Sequence, residues 1–158
     1  MLNILLAEDN AVEQLALTEY LNNNLPEIGT IKTVPSCKQL LEILSSGEKF
    51  DIIILDHILE DEQSLKYIDK IKANAIGSDI IVLSSQQDIS VCIQYLNSGV
   101  YAYLNKEANA FRNLVKNINE IVLKKSGKVV LPWFNINFVY IGVAIFLMLL
   151  FIYYLITK

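Results

Sequence analysis

Residues 52–56 read Ile-Ile-Ile-Leu-Asp and residues 80–84 read Ile-Ile-Val-Leu-Ser, two short apolar runs that each end in an oxygen-bearing side chain. Neither run alternates apolar with polar residues, which is typical of strands that are buried on both faces of a sheet. Such strands occur almost only in parallel sheets that are covered by helices. We therefore expect an α/β domain in which both runs are buried strands.

Strands and helices are predicted to alternate along most of the chain. Short apolar runs predict five strands, at residues 3–7, 30–34, 50–56, 79–84 and 102–105. Segments with helical spacing follow them, at residues 10–24, 36–46, 64–73, 88–98 and 109–125. This alternation predicts one doubly wound parallel sheet with helices on both faces, in a domain of residues 1–125.

Charge is distributed unevenly along the chain. All seventeen acidic residues lie between Glu8 and Glu120, whereas four of the thirteen basic residues follow Glu120. The part up to Glu120 therefore carries nine cations, 13 minus 4, against seventeen acids, a net charge of minus eight. Because such a domain repels a phosphate backbone, we expect no nucleic-acid partner.

The two cysteines, Cys37 and Cys92, fall at apolar positions of predicted helices and are interpreted as buried thiols without chemistry.

The C-terminal segment is the most hydrophobic part of the chain, whose mean hydropathy is +0.39. Residues 138–156 are apolar or aromatic apart from Gly142. As a helix this stretch reaches about 28 Å, close to the roughly 30 Å of a bilayer's hydrocarbon core. We predict a transmembrane helix at residues 134–156 after a short linker at residues 126–133. A buried helix in a soluble oligomer is the alternative.

The orientation of the predicted span follows from the lysines around it. Lys124, Lys125 and Lys128 precede the span, and only Lys158 follows it. Loops rich in lysine and arginine stay on the cytoplasmic side of a membrane. We therefore expect a single-pass C-terminal anchor that holds a cytoplasmic domain.

Functional groups follow four of the predicted strands. Glu8 and Asp9 follow the first, Asp56 ends the third, Ser84 ends the fourth and Lys106 follows the fifth. Each alone has a structural explanation, such as a helix cap or a solvated cation. However, the carboxyl ends of parallel strands meet at one edge, where open α/β sheets bind their ligands. Their coincidence at that edge indicates a functional site.

The carboxylates of this site require a cation. Each close pair of carboxylates repels by about 4 kcal/mol at an effective dielectric constant near 20. Lys106 offsets part of this charge, and a hard divalent ion such as Mg²⁺ suits the oxygens of Asp9 and Asp56, with Glu8 acting mainly through metal-bound water. Asp56 is then expected to attack phosphorus as a nucleophile, Lys106 to neutralise the oxyanion, and Ser84 to donate a hydrogen bond.

Four motifs together resemble the receiver domain of bacterial response regulators, the CheY-like family, over about residues 1–125. They are Glu8-Asp9-Asn10, Ile53-Ile54-Leu55-Asp56, Leu83-Ser84-Ser85, and Gly99-Val100-Tyr101-Ala102-Tyr103-Leu104-Asn105-Lys106. The resemblance implies a flavodoxin-like fold with strand order 2-1-3-4-5. It also implies that the backbone carbonyl of Ile58 is a further Mg²⁺ ligand.

The resemblance implies a function in a two-component phosphorelay. Asp56 is expected to accept phosphate from a histidine kinase or phosphotransfer protein, so the chain is a phosphoryl acceptor with at most autophosphatase activity and not a true enzyme. Tyr103 matches the aromatic switch residue that moves together with Ser84. Ile58 and Gln86, two residues after Asp56 and Ser84, are expected to set the lifetime of the phosphoform.

Several positions depart from the family pattern or carry no expected role. Glu60 and Glu107 stand where prolines are common, and Ser64 stands where glycine is frequent. The only histidine, His57, is expected to be an exposed loop residue. With its anchor, such a domain is expected at the cytoplasmic face of the bacterial inner membrane, where it contacts a downstream membrane protein of unknown identity.

Three other functions compete with this one. A haloacid-dehalogenase-like phosphatase needs a second aspartate where this chain has Ile58, and a flavodoxin-type cofactor binder needs a phosphate loop where this chain has acidic residues. The third is a receiver-like membrane adaptor that retains the pocket but no longer switches. This adaptor is the serious alternative.

Overall fold

The computed structural model describes residues 1–60 and 62–127. Met1–Val122 form one compact unit, and only residues 123–127 of the second unit, Leu123–Lys158, are described. Most of the predicted linker at residues 126–133 and the whole predicted transmembrane helix at residues 134–156 lie outside the described residues. Within the described part of the chain, every helix is too short or too polar to cross a membrane.

The described chain alternates strands with helices, as the sequence predicts. The strands are β1 (Leu2–Ala7), β2 (Ile28–Val34), β3 (Ile52–Asp56), β4 (Ile58–Leu59), β5 (Glu62–Gln63), β6 (Asp79–Ser84) and β7 (Ala102–Asn105). The helices are α1 (Ala11–Asn24), α2 (Cys37–Ser45), α3 (Ile68–Asn74), α4 (Ile89–Asn97) and α5 (Ala110–Lys125). A 3₁₀ turn at Ser64–Tyr67 leads into α3.

Polar side chains begin three of these helices. Asn10 accepts hydrogen bonds from the N–H groups of Val12 and Glu13, which otherwise lack partners in the first turn of α1. Ser36 and Asp88 act in the same way at α2 and α4. These caps fix where each helix starts after a strand, and they therefore place the residues of the strand-to-helix loops.

Five strands form one parallel sheet in the order β2-β1-β3-β6-β7. The remaining two, β4 and β5, form a short antiparallel hairpin, with Ile58 opposite Gln63. The sequence predicts five strands, with the order 2-1-3-4-5 implied by the family resemblance, and gives no sign of the hairpin. The hairpin strands are β4 and β5, so the last two strands of the sheet are β6 and β7. The predicted order 2-1-3-4-5 is therefore not the order of the observed strands.

The sheet is buried on both faces, as the unbroken apolar runs predict. Ile52, Ile53, Ile54 and Leu55 of β3 are all fully buried. Ile53 and Leu55 pack with residues of α2, α3 and α4, whereas Ile52 and Ile54 pack with α1 and α5. The carboxyl ends of β1, β3, β6 and β7 therefore lie together at one edge of a rigid sheet, and the candidate site is located there.

Candidate functional site

Lys106 lies at the centre of an acidic cluster. Its Nζ is 2.7 Å from Asp56 Oδ2, 2.8 Å from Glu8 Oε2 and 2.7 Å from Glu13 Oε2. The backbone N–H of Lys106 donates to the carbonyl of Ser84 at 2.7 Å, which fixes the lysine to the end of β6. Burial alone would lower the pKa of the ammonium, but its hydrogen bonds to Asp56, Glu13 and Glu8 raise that pKa well above the usual value. Lys106 is therefore a permanent cation beside Asp56.

Glu8 is the most buried residue of the cluster. Its side chain is 2% exposed, and burial raises its pKa to about 7, with the charge of Asp56 acting in the same direction and Lys106 opposing both. One of its oxygens also accepts a hydrogen bond from the N–H of Asn10 at 3.2 Å. Near neutral pH, Glu8 can thus release a proton when a cation arrives.

The carboxylates of Glu8, Asp9 and Asp56 fit a divalent metal ion. One oxygen of each lies within 4.8 Å of the others, and Asp9 is exposed, so an ion can enter from solvent. A set of carboxylate oxygens matches the preference of Mg²⁺, which keeps several of its own waters. Asp9 is held in place because its Oδ2 accepts a hydrogen bond from the N–H of Glu60 at 2.9 Å.

Ile58 lies directly beside Asp56. Its backbone N–H is 3.4 Å from Asp56 Oδ1, and it begins the short hairpin that follows β3. Its apolar side chain is partly buried and offers no hydrogen bond to a water molecule. The expectation that its backbone carbonyl binds Mg²⁺ stays a prediction.

Ser84, Gln86 and Tyr103 lie together at the end of β6. The fully buried Ser84 ends β6, and its Oγ accepts a hydrogen bond from the N–H of Gln86 at 3.0 Å. The hydroxyl of Tyr103 is 3.4 Å from the carbonyl of Gln86, and burial raises the pKa of this tyrosine. The structure therefore connects the predicted switch pair through the loop that begins at Ser85.

His57 is not the exposed loop residue that was predicted. Its side chain is 1% exposed, its Nδ1 lies 2.9 Å from the Tyr95 hydroxyl, and its Nε2 lies 3.1 Å from Gln86 Oε1. The prediction was wrong because the backbone of His57 continues the sheet for one more residue. Its N–H donates to the carbonyl of Leu83, and its carbonyl accepts from the N–H of Ser64.

Four residues of this region were missed or misread in the sequence. Glu13 has the spacing of an ordinary solvated helix acid, and Tyr95 that of a helix core residue. Ser64 was noted only as an exception to a family pattern, although its buried Oγ donates to the carbonyl of Asp56 at 2.6 Å. His57 itself offered one signal, because a histidine between a buried strand and the apolar pair Ile58-Leu59 is poorly placed for a solvent-exposed loop.

Comparison with known families agrees with this geometry. The family model described as the response regulator receiver domain matches residues 4–119. The chain belongs to the response regulator receiver domain family. Its receiver domain is 30% identical over 115 residues to the transcriptional regulatory protein DcuR of Escherichia coli strain K12, a match that covers 71% of this chain and 47% of DcuR. The chain thus spans about half the length of the curated relatives it matches.

Solved structures share the fold of this receiver domain. A two-component response regulator from Clostridium difficile superposes with a TM-score of 0.68 at 22% identity, covering 77% of this chain and 96% of that one. A response regulator from Burkholderia pseudomallei, crystallised with a phosphorylated aspartic acid, calcium and citrate, gives a TM-score of 0.66 at 22% identity. That match covers 82% of this chain and 74% of the other. These likenesses establish the α/β flavodoxin-like fold.

Proposed function

We propose that this receiver domain is a Mg²⁺-dependent phosphoryl acceptor and that Asp56 is the acceptor residue. The observation that carries the proposal is the position of the Asp56 carboxylate. It ends the central strand β3, with Oδ2 2.7 Å from Lys106 Nζ, and it shares a metal-ligand cluster with Glu8 and Asp9. Such a carboxylate is held next to a fixed cation and remains open to solvent on one side.

In this reaction a carboxylate oxygen of Asp56 forms a bond to phosphorus while the bond from phosphorus to the donor breaks. Lys106 stabilises the negative charge on the phosphoryl oxygens, and Ser84 donates a hydrogen bond to one of them once its hydroxyl turns outward. Asp9, Asp56 and the carbonyl of Ile58 would hold Mg²⁺, with Glu8 acting mainly through metal-bound water, and the bound ion would supply further charge neutralisation. Hydrolysis of the acyl phosphate regenerates Asp56, so the chain has at most autophosphatase activity.

The phosphoryl donor is a histidine kinase or a phosphotransfer protein. The support is membership of the receiver family, whose members act in two-component signalling. DcuR is a transcriptional regulator by name, but the match covers less than half of it, so its activity is not transferred to this chain. The excess of acids up to Glu120 supports a protein partner and no nucleic acid.

The acceptor role is tested by intact mass. The purified full chain is incubated with Mg²⁺ and acetyl phosphate, and a gain of one phosphoryl group is expected. The Asp56→Asn variant and a sample with excess EDTA serve as controls and should gain nothing. An unchanged mass of the wild-type chain would overturn the proposal and favour the non-switching membrane adaptor.

Switching is proposed to involve Ser84 and Tyr103, and the lifetime of the phosphoform is proposed to depend on Ile58 and Gln86. Ile58 gives a hydrolysing water no hydrogen bond, so we expect a long-lived phosphoform. Ile58→Asn should shorten that lifetime, because an amide can orient the water. A variant that loses phosphate no faster than the wild type would contradict this role of Ile58.

We further propose that residues 134–156 anchor the receiver domain to the bacterial inner membrane. The apolar stretch at residues 138–156 and the three lysines that precede it support a single-pass anchor with the domain in the cytoplasm. There it would contact a downstream membrane protein.

The anchor is tested by membrane flotation. After cell lysis the full chain should float with the membranes in a sucrose gradient, whereas a variant with lysine at Leu147, Leu149 and Leu150 should not. Recovery of both proteins in the soluble fraction would contradict the anchor.

A further inference from the structure

A buried hydrogen-bond chain runs from the acceptor residue to helix α4 and back to the site. It begins at the backbone carbonyl of Asp56, which accepts from Ser64 Oγ at 2.6 Å. Ser64 Oγ lies 2.9 Å from the Tyr95 hydroxyl, which lies 2.9 Å from His57 Nδ1. His57 Nε2 in turn lies 3.1 Å from the side-chain amide of Gln86. Its three inner members are at most 1% exposed, so water cannot replace these bonds.

The number of hydrogens fixes the direction of this chain once the Asp56 carbonyl accepts from Ser64. A carbonyl has no hydrogen, so Ser64 must donate its only hydrogen to Asp56, and Tyr95 must then donate its own to Ser64. The Tyr95 oxygen can therefore only accept from His57, which requires a proton on Nδ1. A neutral ring then has a bare Nε2, and Gln86 must present its NH₂ group rather than its oxygen.

The opposite direction leaves the acceptor end incomplete. If Nε2 of His57 donates to Gln86 Oε1, then Nδ1 must accept from Tyr95, and Tyr95 must accept from Ser64. The carbonyl of Asp56 then loses its hydrogen bond from Ser64, which is costly for a partly buried polar group. Gln86 is exposed, so its amide can rotate to present NH₂ without such a cost. The balance favours the direction that ends at Asp56.

We propose that Ser64, Tyr95 and His57 form a one-directional hydrogen-bond relay that turns the Gln86 amide, and that all three are positioning residues for the acceptor site. Gln86 follows Ser84 by two residues, and its backbone N–H donates to Ser84 Oγ at 3.0 Å, which ties Gln86 to the serine that is proposed to bind the phosphoryl group. With NH₂ toward His57, the amide oxygen is left to accept a hydrogen bond from a hydrolysing water. The effect on phosphate loss rests on the proposed function, whereas the relay itself does not.

The relay is tested by the protonation of a single ring. The chain has one histidine, so ¹H–¹⁵N spectra of the full chain in a mild detergent report His57 alone. In spectra recorded at about pH 8, the relay requires a proton on Nδ1 and none on Nε2. Tyr95→Phe removes the acceptor of that proton but keeps the aromatic ring, and should move the proton to Nε2. Tyr20→Phe, the same change on α1, should leave it on Nδ1.

A second variant does not touch the core. Gln86→Glu replaces an exposed amide with a group that can only accept, so Nε2 should gain a proton, whereas the matched Gln39→Glu on α2 should have no effect. A wild-type ring protonated on Nε2, on both nitrogens or in rapid exchange between tautomers would overturn the relay. Failure of both Tyr95→Phe and Gln86→Glu to move the proton would overturn it as well.

Phosphate loss tests the positioning role. Tyr95→Phe should lengthen the life of the phosphoform roughly threefold or more, the size of effect expected for one hydrogen bond. In a Gln86→Leu background the same change should have no further effect, because the residue through which it acts is absent. Equal effects in both backgrounds would show that Tyr95 acts only structurally. If no phosphoform is obtained, the proposed function fails, and the ring measurement still decides whether the relay exists.

Discussion

Lys106 Nζ lies 2.7 Å from Glu13 Oε2, an ion pair between residues that are 93 positions apart in the sequence. Glu13 lies in the first turn of α1 and is 44% exposed, whereas the other two carboxylates that hold Lys106 are largely buried. The lysine is thus shared between Asp56, the proposed acceptor, and a carboxylate outside the predicted metal cluster. Glu13 competes for the cation that a phosphoryl group would need.

Glu13→Gln is therefore expected to speed phosphorylation. Removal of this carboxylate frees Lys106 for phosphoryl oxygens, and a partly exposed ion pair worth up to about 1 kcal/mol predicts a roughly two- to fivefold faster initial rate. The rate is measured by intact mass with acetyl phosphate and Mg²⁺. Glu19→Gln, on an exposed part of the same helix, is the control and should match the wild type. A slower rate for Glu13→Gln would show that this carboxylate assists Lys106 instead.

Mg²⁺ binding should depend on pH through Glu8. The pKa of this buried carboxyl is raised to about 7, so below pH 7 the metal must displace a proton. Apparent affinity, measured by calorimetry, is expected to rise with pH up to about 7 and then to level off. A Glu8→Gln variant should bind more weakly and lose this rise. A flat profile for the wild type would contradict the assignment.

The raised pKa of Glu8 also determines how the stability of the metal-free protein changes with pH. The folded protein keeps the proton of Glu8 up to about pH 7, whereas the unfolded chain releases it near the ordinary value of 4.5. The contribution of Glu8 to stability therefore falls as pH rises between these values and is constant above them. Urea unfolding in EDTA should show this fall as a difference between the wild type and Glu8→Gln.

Substitution of Glu60 by glycine and by proline should change the stability of the fold in opposite directions. Its φ of +50° lies in the left-handed region, which costs a side-chain-bearing residue about 1 kcal/mol, so Glu60→Gly is expected to stabilise the fold by up to that amount. Glu60→Pro should destabilise by more than about 1 kcal/mol, because proline has neither this φ nor the N–H that Asp9 accepts. Glu60→Ala, with N–H and side-chain strain retained, is the control. A Glu60→Pro variant as stable as the wild type would contradict this reading of the loop.

The two cysteines should differ in reactivity. Burial raises the pKa of the Cys37 thiol to about 12, with the charges of Glu62 and Glu60 acting in the same direction, whereas Cys92 is only partly buried. Iodoacetamide at about pH 8 is therefore expected to modify Cys92 and to spare Cys37 until the protein unfolds. Mass spectrometry of the native protein and of a urea-treated sample distinguishes the two sites. Rapid labelling of Cys37 in the native protein would contradict its burial.

The sequence predicted the parallel sheet well because its strands are apolar on both faces. The runs at Ile52–Asp56 and Asp79–Ser84 leave little choice of structure, and the loops after them must meet at one edge. The hairpin of Ile58–Leu59 and Glu62–Gln63 was missed because strands of two residues are too short to show any periodicity. The backbone conformation of Glu60 gave no signal either, since a left-handed glutamate is not encoded by residue type.

The site was predicted less completely than the fold. The sequence predicts that Glu8, Asp9, Asp56, Ser84 and Lys106 meet at one edge, because each lies at or just after the end of a strand, and the structure places them there. Contacts that depend on the packing of distant elements were not. Glu13 reaches Lys106 only because α1 lies beside the end of β7, and His57 finds Tyr95 only because α4 covers β3. No local sequence pattern predicts these two contacts.

The order of the strands in the sheet has a consequence for the synthesis of the protein. Asp56 belongs to the central strand, but its ammonium partner follows β7 at the far edge, 50 residues later. A ribosome therefore exposes the acidic loops well before the residue that neutralises them. A nascent chain halted before Lys106 lacks the cation beside its aspartate, so the proposed acceptor site is complete only when synthesis of the domain is nearly finished.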